Sequence, residues 1–280
     1  MPSSGDIPNL GIGIGLRSAH YREIFAAWPA IDWFEIIAEN FAGVSGRPAQ
    51  NLERILERYP VVLHGVSIGI GSPDPLDFEW LTKLKALIRK TKTPWFSDHL
   101  CWGRLEGAHY HDLLPLPYRK DVCDYVAERA RIIQDFLEVP FALENVSAYA
   151  GYRADEMSEW DFYSAVVEKA DVKMMLDVNN IYVSSRNHGF SPASYYADLP
   201  FERIVQIHLA GHSDYDAYCL DTHDHTVADE VWKIYGDVIR KVGPISTLLE
   251  WDDHFISFED TWKEALKAKA YLNELAGVKA

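Results

Sequence analysis

The sequence predicts an α/β protein folded as a single (β/α)8 TIM barrel that spans residues 1–280. Eight short apolar runs alternate with longer amphipathic segments, which is typical of a parallel sheet covered by helices. The 280 residues leave about 35 for each strand–helix unit. No linker rich in Pro, Gly or Ser divides the chain, so a second domain is not expected.

The predicted strands are short runs dominated by apolar residues. They are Leu10–Leu16, Trp33–Ala38, Val61–His64, Trp95–His99, Phe141–Glu144, Lys173–Asp177, Ile204–Leu209 and Thr247–Trp251. An open doubly wound sheet is the alternative. However, Gly11, Gly13 and Gly15 alternate, and no G-x-G-x-x-G sequence leads from them into a helix. We therefore expect these glycines to allow close strand packing and not to bind phosphate.

Apolar residues at helical spacing predict helices between the strands. The predicted helices are Asn51–Tyr59, Phe78–Lys90, Lys120–Leu137, Trp160–Lys169, Ser191–Tyr196, Ala228–Val242 and Thr261–Leu275. Ser158 precedes one of them at the position of an N-cap.

The composition excludes several classes of protein. Apolar residues make up 48% of the chain, which is enough for a large core and excludes a disordered protein. The 42 acidic and 27 basic residues give a charge of −15, which argues against binding to nucleic-acid phosphates. Three cysteines are too few for a disulfide framework. With no signal peptide and no apolar run that could span a bilayer, we expect a cytoplasmic protein without a membrane partner.

Six predicted strands end on a histidine or a carboxylate. These residues are His64, His99, Glu144, Asp177, His208 and Glu250. In a TIM barrel the carboxyl ends of all strands lie on one face, where active sites occur. We therefore expect the six side chains to converge on one cavity. A single such residue is more often a hydrogen-bonded core group, but six together favour a functional site.

The convergence favours metal binding. Three crowded carboxylates repel one another, and no Lys or Arg occupies an equivalent strand-end position. Asp221 and His223 alternate in the sequence CLDTHDHT and would share a face of an extended loop, although a solvated polar loop is an equal alternative. The cysteines lack metal-type spacing, so the ligands would be nitrogen and oxygen, which leaves iron, manganese or zinc.

The motifs at these positions resemble a known family. They are HGVSIGIG (64–71), SDHLCW (97–102), HDLLPLPY (111–118), ENVSAY (144–149), LDVNNIYV (176–183), IHLAGH (207–212) and DTHDHTV (221–227). Together they resemble the multinuclear non-haem iron-dependent oxidative enzymes, formerly a domain of unknown function. That family includes the methanobactin biosynthesis oxidase and an enzyme that excises a carbon from a peptide's C-terminal cysteine. The resemblance extends from Gly11 to Glu250.

The resemblance implies a xylose-isomerase-like barrel that holds two or three irons of mixed Fe(II)/Fe(III) state. It implies O2-dependent oxidative modification of a cysteine in a ribosomally synthesised precursor peptide. It also implies a small partner protein that binds the leader of that peptide and forms a heterodimer with the enzyme.

The resemblance also assigns residues to the irons. The implied first site is His64, His99 and Glu144; the second is Glu144, Asp177, His208 and Glu250; the third is Asp221 and His223 with Asn180. Four further residues are candidates for orienting these ligands, namely Asp98, Asn145, Asn179 and His212.

Two other classes remain as alternatives. The layout also resembles the zinc hydrolases of the endonuclease IV type, or a sugar isomerase on the same barrel. The hydrolases place a histidine three residues after the strand-end aspartate, where this chain has Asn180. Asparagine is a poorer ligand, which weakens the third site and argues against the hydrolase. A non-enzymatic metal-binding or scaffold protein is the third hypothesis.

Overall fold

Eight parallel strands close into a barrel in the computed structural model, which describes residues 7–278. The twelve strands in this part of the chain are β1 (Ile12–Gly15), β2 (Trp33–Ile37), β3 (Val61–Gly65), β4 (Phe96–His99), β5 (Trp102–Leu105), β6 (Ala108–Leu114), β7 (Phe141–Glu144), β8 (Lys173–Asp177), β9 (Ile204–Leu209), β10 (Ser213–Tyr215), β11 (Tyr218–Leu220) and β12 (Ser246–Leu249). The order around the barrel is β1-β12-β9-β8-β7-β4-β3-β2. The predicted TIM barrel is confirmed, and each predicted run overlaps one barrel strand.

Two antiparallel hairpins were not predicted. The pair β5 and β6 follows β4, and the pair β10 and β11 follows β9. Both hairpins therefore leave the carboxyl ends of barrel strands and stand on the face where the predicted site residues lie. Their residues are largely exposed, so they lack the buried apolar run by which the barrel strands were recognised.

The helices surround the barrel. They are α1 (Tyr21–Ala27), α2 (Arg47–Leu56), α3 (Phe78–Thr91), α4 (Lys120–Leu137), α5 (Glu159–Ala170), α6 (Val178–His188), α7 (Pro192–Tyr195), α8 (Asp229–Val242), α9 (Phe258–Leu266) and α10 (Ala268–Val278). Side chains cap the first turns of several helices. Asp77 accepts a hydrogen bond from the backbone N of Trp80 at 2.9 Å at the start of α3, and Ser158 accepts one from the backbone N of Asp161 at 3.2 Å at the start of α5.

Two helix predictions needed correction, and two helices had not been predicted. The single helix predicted over Thr261–Leu275 is two helices, α9 and α10, separated at Lys267. Helix α2 begins four residues before the predicted Asn51, because Pro48 in its first turn is compatible with a helix start. Helices α1 and α6 were not predicted at all. In the described part of the chain, no helix is both long enough and apolar enough to cross a membrane.

The interior of the barrel is filled in two layers. The lower layer is apolar and consists of Trp33, Val62, Trp95, Ala142, Met175, Val205 and Leu248. In six of these seven cases the residue two positions later is polar and buried, and these residues are Glu35, His64, Ser97, Glu144, Asp177 and Glu250. Because side chains alternate along a strand, residues two apart share the inward face. An apolar floor therefore lies directly below a polar layer.

The exception occurs on β9. The pairing of β8 with β9 shifts register between Met174 and Met175, and Gln206 and His208 point inward instead. The Trp95 indole donates to Oε1 of Gln206 at 2.8 Å, so this amide closes the floor beneath His208.

Candidate metal centre

One corner of the polar layer brings His64 and His99 to Glu144. Nε2 of His64 lies 3.4 Å and Nε2 of His99 lies 3.1 Å from Oε2 of Glu144. Nδ1 of His99 donates to the backbone carbonyl of Gly65 at 3.2 Å, which places the proton of the neutral ring on Nδ1. The lone pair on Nε2 therefore faces a carboxylate oxygen, an arrangement that calls for a cation or a proton between them.

His208 occupies the middle of the layer among three carboxylates. Its Nδ1 lies 3.2 Å from Oε1 of Glu144 and 3.3 Å from Oε2 of Glu250, and its Nε2 lies 3.1 Å from Oε1 of Glu35. Gln206 donates to the other oxygen of Glu35 at 2.6 Å. Glu144 thus lies between His208 and the histidine pair, where its two oxygens face opposite sides.

Asp177 ends β8 and begins α6. Its Oδ1 accepts from the backbone N of Asn180 at 2.7 Å and caps the helix, while Oδ2 remains buried with no hydrogen-bond partner among the described residues. The Asn145 side chain accepts from the backbone N of Asp177 and donates to its carbonyl, both at 2.9 Å. Asn180 donates to the carbonyl of Asn145, also at 2.9 Å, which leaves its own Oδ1 buried and unpaired.

The loop after β11 supplies Asp221 and His223. Nε2 of His223 lies 2.8 Å from Oδ1 of Asp221 and its Nδ1 lies 3.4 Å from Oε2 of Glu250. Asn179 donates to Oδ1 of Asp221 at 2.7 Å and in turn contacts Nδ1 of His212 at 2.7 Å. The two residues meet as predicted, but the reason given was wrong: His223 has φ of 51°, so the segment is not extended.

Ligand-type atoms from these residues form four overlapping groups. In each group the atoms lie within 4.8 Å of one another: His64, His99 and Glu144; Glu144, Asp177 and His208; Glu35, His208 and Glu250; and Asp177, His223 and Glu250. Two donors that share an ion lie at most about 4.2 Å apart, since each bond is about 2.1 Å long. Small rotations of the side chains would therefore complete each group around an ion.

Buried polar atoms that lack a hydrogen bond support metal binding by this cluster. Among the described residues, five buried polar atoms of the cluster make no hydrogen bond of proper geometry, although both histidine nitrogens lie near a carboxylate oxygen: Oε2 of Glu144, Oδ2 of Asp177, Oδ1 of Asn180, Nδ1 of His208 and Nε2 of His223. Buried polar atoms without a partner are rare and costly in folded proteins. Nitrogen and oxygen donors that converge in this way fit iron, manganese or zinc.

Burial sets the protonation of the histidines in the first corner. It lowers the pKa of His99 to about 4, and burial with repulsion from His99 and His208 lowers the pKa of His64 well below its usual value. Both rings are therefore neutral near pH 7, as metal ligation requires. Burial also raises the pKa of Glu144 to about 7 and that of Asp177 well above its usual value.

In the opposite half of the cluster, neighbouring charges outweigh burial in setting the pKa values. Burial alone would lower the pKa of His208, but Glu35, Glu250 and Glu144 together raise it well above its usual value. Burial would raise the pKa of Glu250, but His208 and His223 lower it well below its usual value. The carboxylates on this side therefore create a strongly negative potential around His208.

Two residues of the site were missed from the sequence. Glu35 lies in the middle of β2, not at its end, yet it shares the inward face with Trp33. Arg17 lies two residues beyond β1, where its Nη2 is 3.5 Å from Oε1 of Glu250 and its Nε donates to Asp252 at 2.8 Å. The expectation that no basic residue accompanies the strand ends is therefore wrong.

Asp98 has a different position from the other predicted orienting residues. It alternates with the inward-facing Ser97 and His99, so its side chain leaves the barrel interior. Its oxygens accept from the backbone N of His99 at 2.8 Å and from that of Ile68 at 3.3 Å. Asp98 therefore fixes the chain around His99 and hydrogen-bonds no imidazole of the cluster in residues 7–278.

Comparison with known families decides the kind of protein. The model of the RiPP precursor modification enzymes MbnB/TglH/ChrH matches residues 11–273. The chain belongs to this family. The resemblance found from the motifs is thus confirmed, and an enzyme of this family acts on ribosomally synthesised precursor peptides.

Relatives of this RiPP modification enzyme are found in several bacteria. A UPF0276 protein of Anaeromyxobacter sp. (strain Fw109-5) is 51% identical over 245 residues, which cover 88% of this chain and 87% of that protein. A UPF0276 protein of Acaryochloris marina (strain MBIC 11017) is 43% identical over 262 residues, which cover 94% and 95%.

Solved structures share the barrel of this RiPP modification enzyme. A D-tagatose 3-epimerase-like protein has a TM-score of 0.61 at 13% identity, with 96% of this chain and 100% of that chain covered. Endonuclease IV from Thermus thermophilus has a TM-score of 0.60, also at 13% identity, with 95% and 100% covered. At this level of identity the likeness concerns the fold alone, and it confirms the xylose-isomerase-like TIM barrel.

Proposed function

We propose that this protein is a multinuclear non-haem iron enzyme that uses O2 to modify a cysteine of a precursor peptide. The single observation that carries the proposal is the set of overlapping His/carboxylate groups, whose orphaned atoms converge in the mouth of the barrel. Adjacent groups share Glu144, Asp177, His208 or Glu250, so they would hold neighbouring ions.

The proposed ligands follow the groups. His64, His99 and Glu144 would hold one ion, and Glu144, Asp177 and His208 its neighbour. His223 with Asp177 and Glu250 would hold a third. Asp221, which contacts His223, and Asn180, whose Oδ1 is buried and unpaired among the described residues, are further candidates for this ion. Glu35 joins the set as a further carboxylate beside His208.

Iron in these positions would supply the one-electron chemistry that O2 activation requires and would bind a substrate thiolate. The chain itself positions and shields the reacting groups. Its barrel wall and apolar floor exclude water from the buried side of the centre, where His64, Asp177 and His208 are at most 2% exposed. Asp221 and His223 are only partly buried, so the peptide cysteine would enter from their side.

The cysteine would come from the substrate. All three cysteines of this chain are buried and free, and burial raises the pKa of Cys101 well above its usual value. A buried neutral thiol is a poor nucleophile and a poor ligand. As in the family resemblance, we propose that a small partner protein binds the leader of the precursor and forms a heterodimer with this chain.

The test combines metal analysis with oxygen consumption. Protein purified without air should contain iron, and a cysteine peptide should stimulate O2 uptake while its serine twin does not. Glu144→Gln keeps the size of the side chain but removes the charge shared by two groups, so it should lose at least half of the iron. Glu159→Gln is the matched control, because Glu159 is also a carboxylate with a pKa raised by burial but contacts Tyr195 on α7.

Two results would contradict the proposal. Zinc as the only bound metal, with no O2 uptake in the presence of the cysteine peptide, would exclude iron oxidation. Turnover of abasic DNA or of a ketose without O2 would instead support the zinc hydrolase or isomerase alternative. If Glu144→Gln and Glu159→Gln kept the same iron content, the assignment of Glu144 would be wrong.

A further inference from the structure

A groove of about 870 Å³ lies beside the candidate metal centre. One wall is formed by the short helix Ser18–His20 and by α1, and the other by the segment after β2 and by α2. Phe255, from the segment after β12, lies at its edge and is 44% exposed. The volume falls in the range of clefts that enclose ligands of small-molecule size or a short stretch of peptide.

The lining of this groove is basic in a strongly acidic protein. It contains Arg17, Arg22, Arg47 and Arg54 but no Asp or Glu, whereas the whole chain carries a charge of −15. Among the described residues, no carboxylate oxygen lies within 4.0 Å of the guanidinium groups of Arg22, Arg47 and Arg54. Three of the arginines that line the groove therefore form no ion pair among the described residues, and their positive charges favour an anionic occupant.

Aromatic side chains accompany these arginines. The guanidinium carbon of Arg54 lies 3.8 Å from the ring centroid of Phe25, and the ring of Tyr21 stacks on Phe25 at 5.5 Å. Phe41 also lines the groove. The groove thus offers flat apolar faces between its charges, which suits side chains and backbone of a peptide.

Arg17 connects the groove to the centre. It lines the groove, and its Nη2 lies 3.5 Å from Oε1 of Glu250 in the polar layer. Gly15 leaves room for the Arg17 side chain at this place, because a Cβ on residue 15 would lie 2.7 Å from Nη1 of Arg17. A chain seated in the groove would therefore end beside the proposed metal ligands.

We propose that this groove binds an acidic segment of the peptide substrate and leads its reactive residue to the centre. The inference rests on the proposed function in one respect, namely that a peptide is the substrate. The basic lining of the groove indicates an acidic occupant, and the contact of Arg17 with Glu250 places that occupant next to the centre. A nucleic acid is disfavoured, since the remaining surface of the −15 chain would repel a long polyanion.

The test measures binding and needs no turnover. The probe is a fluorescein-labelled peptide of alternating glutamate and glycine with a central phenylalanine and a C-terminal serine, titrated with the purified metal-loaded protein at low ionic strength. Its twin carries glutamine in place of glutamate. We expect the acidic peptide to bind about tenfold more tightly than its twin, and the difference to shrink as salt screens the charges.

Variants of the groove arginines test whether the acidic peptide binds in this groove. In the double variant Arg47→Gln/Arg54→Gln, the ratio of the affinities for the acidic peptide and its twin should fall by about threefold for each arginine. A threefold change corresponds to the free energy of one exposed ion pair. The matched control is Arg131→Gln/Lys233→Gln, which removes two exposed cations on α4 and α8 and should bind like the unchanged protein. All four positions are on the surface, and equal melting temperatures would show that folding is intact.

Three outcomes would overturn the inference: equal binding of the two peptides, an unchanged preference in the groove variant, or competition by oligothymidylate as strong as that of the acidic peptide. Because the probe has no cysteine and the readout is anisotropy, binding does not depend on O2. A groove that binds the acidic peptide in a protein without iron oxidation would leave this inference standing and refute the proposed function.

Discussion

Replacement of Gly211 by alanine tests the geometry of the loop that carries Asp221 and His223. Gly211 follows β9, and a Cβ at this position would lie 2.1 Å from the carbonyl oxygen of His225 and 2.5 Å from its carbonyl carbon. Both are backbone atoms, so no side-chain rotation relieves the clash. Ordinary contact begins at 3.4 Å, so the two segments must separate by about 1.3 Å.

That separation acts directly on the candidate ligands. The backbone N of His223 donates to the carbonyl of Gly211 at 3.0 Å, and Asp252 N donates to the carbonyl of His223 at 2.8 Å. Overpacking of this kind costs about 1–3 kcal/mol, which a domain with about 5–15 kcal/mol of stability survives. We therefore expect a folded protein whose Asp221 and His223 are displaced by about 1 Å, enough to reduce turnover by about 100-fold.

The assay is metal content per chain, peptide-dependent O2 uptake and melting temperature, with Gly151→Ala as control. A Cβ at Gly151 has Asp155 at 3.9 Å as its nearest neighbour, so this variant should match the unchanged protein. Gly211→Ala should lose the share of metal held near His223 and melt only a few degrees lower. Full metal content and full activity in Gly211→Ala would refute the placement of the loop, and the same result in His223→Ala would refute its role as a ligand.

Two further predictions concern protonation and burial. Burial raises the pKa of Glu159 to about 7 in the folded protein, so its contribution to stability is present below the unfolded pKa and is lost as pH rises through 7. Glu159→Gln should therefore match the unchanged protein in urea denaturation near pH 4 and exceed it at pH 8 by up to about 3 kcal/mol; a pH-independent difference would contradict this. The buried cysteines, with the pKa of Cys219 raised to about 11, should react with Ellman's reagent only after unfolding, and rapid native labelling would refute their burial.

The fold could be predicted from the sequence because each barrel strand is a compact apolar run. Buried parallel strands have both faces covered, so they contrast sharply with the amphipathic helices between them. The carboxyl-end rule then placed His64, His99, Glu144, Asp177 and His208 on one face without any structural information. All five are at most 8% exposed and lie in the same polar layer.

Glu35 escaped the same reasoning because it lies in the middle of β2 and not at the carboxyl end of that strand. The last residue of β2 is the apolar Ile37, which pairs with His64, and Glu35 lies two residues before it in the chain. It nevertheless reaches His208 across the barrel at 3.1 Å. The alternation that begins at Trp33 would have identified it, since Trp33 and Glu35 share the inward face.

Helix α6 was missed because nothing separates it from β8. Asp177 is at once the last residue of the strand and the N-cap of the helix, so no loop lies between the two elements. The helix also carries Asn179 and Asn180, which are polar yet buried, and they mask its apolar periodicity. The same feature serves the site, because capping occupies Oδ1 of Asp177 and leaves Oδ2 free.

The buried carboxylates and imidazole lone pairs of the layer together favour bound cations. Glu35, Glu144, Asp177 and Glu250 are buried. In residues 7–278 Arg17 contacts Glu250, and His208 lies among Glu35, Glu144 and Glu250, which raise its pKa well above its usual value. Protonation of Glu144, whose pKa is about 7, would remove one charge but would leave the neutral His64 and His99 turned toward it with no further proton to share. Bound cations satisfy both requirements together, since they neutralise the carboxylates and accept the lone pairs of the imidazoles.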